Sequence, residues 1–347
     1  MEHRPKKVQT SLVTMHDVAK LAGVSQSTVS RVLNIGQSQP LISEETSERV
    51  MNAVEQLGYF PNLTARSLRS QQSLMIAMMV GNISNPFYHG IVQTVEEISH
   101  YRGYDMLIAN GYKNPEKELR FCRALMRRPV DGIIMSSDFI TDENIDQLIK
   151  YTGAAVVSMN EYIKHPEVDI LLSSDEGASY MAVKWLIENK HHRQVGFIGI
   201  VDTHPNGKLR RAGYRRALED SDISARDDYE QIGADYTVEQ GAQTMRALMS
   251  LPTPPTAVFV CSDIMAIGAI NQTLDMGFRI PEDVAVVGFD DIPAAQFIRP
   301  SLTTLAQFPA EIGRQLANAL FERIEGRYIG PKRTFKVPLR LVERQST

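Results

Sequence analysis

From Leu74 onward the chain alternates short apolar runs with amphipathic stretches, and no other feature restricts its fold so much. The apolar runs read as strands at Leu74–Val80, Asp105–Ala109, Gly132–Met135, Ala155–Met159, Asp169–Leu172, Val195–Ile200, Thr256–Val260 and Val284–Val287. Helical spacing covers Pro86–Arg102, Pro115–Arg127, Ser174–Lys190, Leu209–Asp220, Val238–Leu251 and Ile264–Met276. Strands that alternate with helices predict parallel sheets of the doubly wound α/β kind. Eight strands divide naturally into two sheets, each the centre of a lobe.

Ligands of open α/β sheets bind beyond the carboxyl ends of the strands, so the loops there carry the functional reading. After the first run comes Gly81-Asn82-Ile83-Ser84-Asn85-Pro86-Phe87-Tyr88, a capped turn whose aromatic pair could stack on a sugar ring. After Ile200 the chain runs through Lys208, Arg210 and Arg211. Tyr236 follows Ala234-Asp235, Ser262-Asp263 follows the Thr256–Val260 run, and Gly288-Phe289-Asp290-Asp291 ends the last. The candidate effector site is therefore Asn82, Asn85, Phe87, Tyr88, Arg210, Tyr236, Ser262, Asp263 and Asp290. Singly, each has a plainer reading: Arg210 and Lys208 as solvated charges at a helix start, Tyr236 as packing, Asp290 as a helix cap. Together they form a few polar groups among aromatics, which is what a sugar requires.

Ahead of this body, residues 14–34 read as two short helices around a tight turn. Thr14 is placed to cap the first helix, and Asp17 sits in its first turn, where the helix dipole favours an anion. Met15, Val18, Ala19 and Ala22 form an apolar stripe, and Gly23 ends the helix because glycine adopts a left-handed backbone cheaply. Ser25 caps a second helix over about Gln26–Leu33, with Val29, Val32 and Leu33 inward and Gln26, Ser27, Ser30 and Arg31 outward. A helix-turn-helix presents such a face to the major groove, where Arg reads guanine and Gln reads adenine. The plainer alternative is an ordinary helical hairpin. A third helix is expected from Ser43 to about Leu57, with Val50, Met51, Val54 and Leu57 buried, and Gly58 and Pro61 stop it.

These residues carry a resemblance. Asp17-Val18-Ala19, Ala22-Gly23-Val24-Ser25, Thr28-Val29-Ser30-Arg31-Val32-Leu33-Asn34, Gly58-Tyr59-Phe60-Pro61-Asn62 and Ala65-Arg66-Ser67-Leu68 are similar to the LacI/GalR family of bacterial repressors. The likeness runs from about residue 14 to residue 342. It implies an all-helical helix-turn-helix DNA-binding head, joined by a hinge helix to two doubly wound parallel-sheet lobes like those of periplasmic sugar-binding proteins. The expected division is a disordered arm at 1–13, the head at 14–60, hinge helix and linker at 61–73, and the effector-binding and dimerisation body at 74–347. Within the body, one lobe is expected at about 74–172 and 306–333, the other at about 173–305 and 334–347. The chain would cross near Leu172 and again near Leu302–Leu305, returning Pro309–Gly326 to the first lobe.

The resemblance also implies roles. Leu68 matches an apolar wedge of the minor groove, on a hinge segment that folds when two copies meet on DNA; wedging bends the duplex. The expected DNA-binding set is Thr14, Met15, Ser25, Gln26, Ser27, Ser30, Arg31, Asn34, Asn62, Ala65, Arg66 and Leu68. Arg210 matches an arginine that clasps the effector, Tyr236 an aromatic lying against it, and Asp290 a carboxylate taking two hydroxyls. Two departures stand out. The loop after Asn34 is longer than usual, and Ser173-Ser174 stand where the family usually has Asp-Asn, so Asp175 could supply the missing contact. With Lys208, Arg210 and Arg211 nearby, the balance of charge admits an anionic or phosphorylated sugar, and a neutral one fits almost as well.

Charge and motifs agree with a regulator. The 347 residues carry a net charge of −4, but residues 1–72 hold 8 Lys and Arg against 6 Asp and Glu, net +2, leaving −6 for the rest. An acidic body behind a basic head suits a protein that offers one end to phosphate. Cys122 and Cys261 read as buried free thiols of a reducing compartment, and the N-terminal stretch has no apolar run of signal-peptide length. A cytoplasmic protein without a membrane partner is expected. An enzyme is disfavoured: Gly196 and Gly199 lie within a strand rather than after one, and no P-loop lysine, nucleophile elbow or Cys/His metal spacing occurs. An exported sugar-binding protein would have no DNA-binding head. The expectation is a homodimeric repressor of double-stranded operator DNA, with a small carbohydrate or sugar-phosphate effector, no cofactor and no metal. Two-fold symmetry in the protein calls for a palindromic operator.

Overall fold

The computed structural model describes residues 13–33, 42–60, 72–111, 114–160, 162–202 and 204–347. It forms two compact units, Met1–Ser73 and Leu74–Thr347. In the first, helices α1 (Met15–Ala22), α2 (Gln26–Leu33) and α3 (Glu44–Leu57) enclose a core of Val18, Ala19, Ala22, Val29, Val32, Val50, Ala53 and Tyr59. Thr14 closes a reciprocal capping box with Asp17, and Gly23 ends α1 in the left-handed conformation at φ 64°. Ser25 accepts from the Thr28 amide at 3.1 Å, as a cap of α2 should. One expectation is corrected: Met51 is 50% exposed and Ala53 is buried in its place. Val50, Ala53, Val54 and Leu57 follow the i, i+3, i+4, i+7 face, and Met51 points about 100° away from it.

The second unit contains two six-stranded sheets. The first is built from β1 (Met75–Val80), β2 (Asp105–Asn110), β3 (Gly132–Met135), β4 (Ala155–Ser158), β5 (Asp169–Ser173) and β11 (Thr334–Val337), in the order β11-β5-β4-β3-β1-β2. The second holds β6 (Val195–Ile200), β7 (Glu230–Gly233), β8 (Ala257–Val260), β9 (Ala285–Asp290), β10 (Thr303–Ala306) and β12 (Arg340–Val342), in the order β12-β10-β9-β8-β6-β7. Central strands such as β3, β6 and β8 are buried at every position, because helices cover both faces of a parallel sheet. The helices are α4 (Phe87–Tyr101), α5 (Pro115–Leu125), α6 (Asp142–Thr152), α7 (Asp175–Glu188), α8 (Pro205–Glu219), α9 (Val238–Met249), α10 (Asp263–Asp275), α11 (Ala294–Phe297) and α12 (Pro309–Ile324).

The C-terminal segment departs from expectation. Phe335–Val342 reads as a single strand within the 334–347 part of the second lobe. In the structure Thr334–Val337 runs parallel to β5 in the first sheet, and only Arg340–Val342 joins the second, antiparallel to β10. Pro338 separates them; with no N–H and a restricted φ it ends one ladder, and the chain changes sheets there. The chain therefore crosses between sheets three times: after Ser173, after Ala306 and after Val337. Helix α12 packs on the first sheet, where Leu316, Leu320 and Phe321 meet β1 residues Ile76 and Met78. Both cysteines are buried free thiols.

Candidate functional site

A cleft of about 890 Å³, its open mouth included, lies between the two sheets of the body. Its walls come from the carboxyl ends of strands on both sides. β1 leads into Asn82, Asn85, Phe87 and Tyr88, and β3 into Ser136 and Asp138. On the other lobe β6 leads into His204, Asn206 and Arg210, β7 into Tyr236 and β8 into Ser262, and β9 ends at Asp290. Eight of the nine candidates named from the sequence thus line one cleft, and the two Asn side chains turn its rim: Asn82 Oδ1 accepts from the Ser84 amide at 3.0 Å and Asn85 Oδ1 from the Phe87 amide at 3.1 Å.

The ninth, Asp263, does not line it. It is wholly buried, accepting from Thr304 Oγ1 at 2.6 Å and from the Ile292 amide at 2.9 Å. It sits at the first position of α10, so its side chain turns into the joint between β9 and β10 while the preceding cap, Ser262, faces the cleft. The expected cationic cluster is also corrected. Lys208 is exposed, and Arg211 turns to Glu230 at 2.5 Å and Asp202 at 3.4 Å. Neighbours on a helix diverge by about 100°, so only Arg210 of the three reaches the cleft.

Arg210 is 5% exposed and tightly held. Its Nε donates to Asp175 Oδ1 at 2.6 Å, its Nη1 donates to the Cys261 carbonyl, and its Cζ stands 3.6 Å from the centre of the Phe289 ring. Burial disfavours its charge, but the Asp175 carboxylate restores it, and Asp290 lies 3.9 Å away. Asp175 also accepts from Ser173 Oγ and from Asn206 Nδ2, the latter at 3.2 Å. The serine that departs from the family pattern is thereby tied to the carboxylate that anchors Arg210. Asp290 takes a hydrogen bond from Gln307 Nε2 at 2.6 Å and adopts φ 123°, a backbone conformation non-glycine residues seldom hold. Burial pushes its carboxyl up to about 8, against the pull of Arg210. Near neutrality the cleft therefore offers a protonated acid, a neutralised Arg210–Asp175 pair, and several amides and hydroxyls beside Phe87, Tyr88 and Tyr236.

Several lining residues were not singled out as candidates. Asp138 and Asn160 follow β3 and β4, and the rule that selects residues after strand ends would have found them. Gln307 and Ile312 come from the second crossing and α12, where no local pattern announces a cleft.

In the other unit, Gln26, Ser27 and Arg31 are exposed on α2 and Ser30 is half-buried, opposite the buried Val29 and Val32. Arg31 Nε donates to the Ser27 carbonyl at 3.3 Å, which lays the side chain along the helix. The Thr14 hydroxyl donates to Asp17 at 2.7 Å, and Ser25 Oγ lies 2.7 Å from Ser27 Oγ and 2.9 Å from Thr28 Oγ1. Met15 is half-buried against the core. Asn34, Asn62, Ala65, Arg66 and Leu68 lie outside the described residues. Among the described residues no group of His, Cys, Asp and Glu could hold a metal ion, and no helix is long and apolar enough to cross a membrane.

Comparison with known proteins gives the chain its place. Residues 14–62 match the pattern of bacterial regulatory proteins of the lacI family, and residues 183–347 match the periplasmic binding protein-like domain. The HTH-type transcriptional repressor PurR of Mannheimia succiniciproducens is 33% identical over 313 residues, 90% of this chain and 92% of that protein. Among solved structures, the transcriptional regulator CelR in complex with cellobiose is 30% identical, with a TM-score of 0.70 over 96% of this chain and 100% of the other. The Lac repressor dimer bound to operator and the anti-inducer ONPF is 25% identical, with a TM-score of 0.82 over 96% and 98%. This chain belongs to the lacI family of bacterial regulatory proteins: it is a DNA-binding transcriptional repressor with a ligand-binding body, and not an enzyme.

Proposed function

We propose that the protein is a cytoplasmic, homodimeric repressor whose two heads read a palindromic operator and whose cleft takes a neutral carbohydrate. The observation that carries the ligand class is the pairing of the cleft's arginine. Arg210, the arginine that lines it among the described residues, is already matched by Asp175 at 2.6 Å, and burial pushes the Asp290 carboxyl up, towards its neutral form. Among the described residues a phosphate would meet Asp235 and an Asp138 already bonded to His204, with Lys208 and Arg211 facing elsewhere. Amides and hydroxyls beside aromatic rings suit hydroxyl groups on an apolar ring face. The cellobiose complex of the CelR relative supports the same class, and the operator-bound Lac repressor dimer supports the dimeric reading.

The test is a melting-temperature screen of the full-length chain against neutral mono- and disaccharides, sugar phosphates and purine bases. A ligand at 100 times its dissociation constant adds about 2.7 kcal/mol to the folded state. A shift with a neutral sugar, lost in Phe87→Ala, is expected. A shift confined to phosphorylated sugars or to bases would replace the carbohydrate reading. For the dimer and operator, sedimentation equilibrium and footprinting should give a two-chain species protecting two symmetric half-sites; a monomer on a single half-site would refute it.

A further inference from the structure

The cleft also contains a side-chain hydrogen bond that joins the two lobes. Asp138 stands on the loop after β3, His204 just before α8, and His204 Nδ1 lies 3.0 Å from Asp138 Oδ2. Both side chains line the cleft, yet they are only 17% and 10% exposed. We propose that Asp138 and His204 form a latch that sets the opening of the cleft and so positions both walls about a ligand, with Glu118 aiming the latch from behind.

The topology explains why such a bridge matters. The lobes are joined covalently only by three crossings, after Ser173, Ala306 and Val337. Three connections make a hinge, and a hinge alone leaves the opening angle weakly determined. Neither Asp138 nor His204 belongs to a crossing, so their bond adds a constraint away from the hinge. The His204 ring also sits 6.5 Å from that of Tyr236, which places the latch beside the aromatic wall of the second lobe.

The first-lobe end of the latch is held rigidly. Glu118 on α5 is wholly buried, and its carboxyl accepts from Ser137 Oγ and from the Phe139 amide at 3.2 Å, with the Asp138 amide at 3.5 Å. Ser137 Oγ in turn accepts from the Ile140 amide at 3.0 Å, and the Ser137 carbonyl accepts from the Tyr162 hydroxyl. Asn160 Nδ2 donates to that hydroxyl at 2.8 Å. A buried acid is costly to desolvate, so its burial under this loop makes sense where it fixes the loop's shape. Glu118 is a positioning residue that acts through Asp138.

The inference rests on the cleft being the effector site, but its test needs no ligand, so failure of the carbohydrate reading would leave the latch result standing, and the reverse. Gln147 on α6 and Glu239 on α9 are exposed, one on each lobe; both are replaced by cysteine and spin-labelled in the full-length chain. Cys122 and Cys261 are buried, so label enters the introduced sites. Labelled chain is diluted into excess unlabelled chain so that only distances within one chain are read by pulsed electron resonance. Asp138→Ala and His204→Ala are each expected to lengthen and broaden the inter-lobe distance, with the double variant no longer than either single one. Glu118→Gln should shift it in the same direction by a smaller amount. The two single variants come from different lobes, so a folding defect in one, seen as a lowered melting temperature, leaves the other to decide. Distances in a folded single variant that superimpose on those of the unmodified latch would overturn the proposal, as would additive shifts in the double variant.

Discussion

Arg210 shows how a residue that lines the cleft can also be a structural one. It is the counterion of Asp175 and the neighbour of Asp290, both almost completely buried. Removing one partner of a buried pair leaves an uncompensated charge, which costs about 3–5 kcal/mol. Arg210→Ala should therefore lower stability by that amount in chemical denaturation, before any ligand is added. If its denaturation midpoint matched that of the unmodified chain, the buried pair would not hold the lobe together. Asp290 yields a pH prediction. In the unfolded chain an aspartate titrates near 3.9, whereas in the fold burial holds Asp290 up to about 8 and Asp263 up to about 6. Between those values the folded state keeps protons that the unfolded state releases, so stability falls as pH rises through the window. The contribution is fully present only below the unfolded value and is lost above about 8. Asp290→Asn should flatten the slope of melting temperature against pH between about 6 and 8; an unchanged slope would assign the loss to other groups. On the exposed face of α2, proposed to read the operator, Arg31→Ala should cost about 1–3 kcal/mol on the specific operator and relax base preference there. Equal loss on specific and random duplexes, measured by anisotropy, would make Arg31 a backbone contact instead.

At the scale of elements, close approach decides what sequence periodicity leaves open. Helices α9 and α10 meet at glycines: a Cβ on Gly241 would lie 2.0 Å from the Met265 carbonyl oxygen, and one on Gly268 would lie 1.9 Å from that of Val238. Backbone atoms cannot rotate aside as a side chain can. Gly268→Ala should therefore force the helices apart and destabilise by at least the ~1–3 kcal/mol typical of overpacking, read as a lower denaturation midpoint. A midpoint within error of the original would mean that the two helices can separate freely. Legibility at this scale follows burial. β3 and β8 are continuous apolar runs because both faces are covered, and they are evident in the sequence. β7, Glu-Gln-Ile-Gly at the edge of its sheet, and β10, whose Thr303 and Thr304 are buried through hydroxyl hydrogen bonds, carry no such run. Phe335–Val342 reads as one strand despite Pro338, because which sheet each flanking piece joins depends on partners far away in the chain.

For the whole molecule, the local signals in the sequence determined a great deal. The capped helix pair of the head, the alternation that makes doubly wound sheets, and the placement of Asn82, Phe87, Arg210 and Asp290 at or after strand ends all follow from patterns within a few residues. Those patterns reflect constraints the chain meets locally: helix ends must be capped, glycine permits left-handed turns, and parallel strands need crossover helices. What only the tertiary structure decided concerns groups distant in sequence. Asp263 turned out to brace Thr304 across 41 positions, Arg210 to face Asp175 across 35, and Asp138 to meet His204 across 66. Burial then changed what those groups are, making Asp290 an acid near neutrality and Arg210 a matched charge. No sequence window contains that information, because the interaction of two charges depends on their separation in space and on how much water the fold leaves between them.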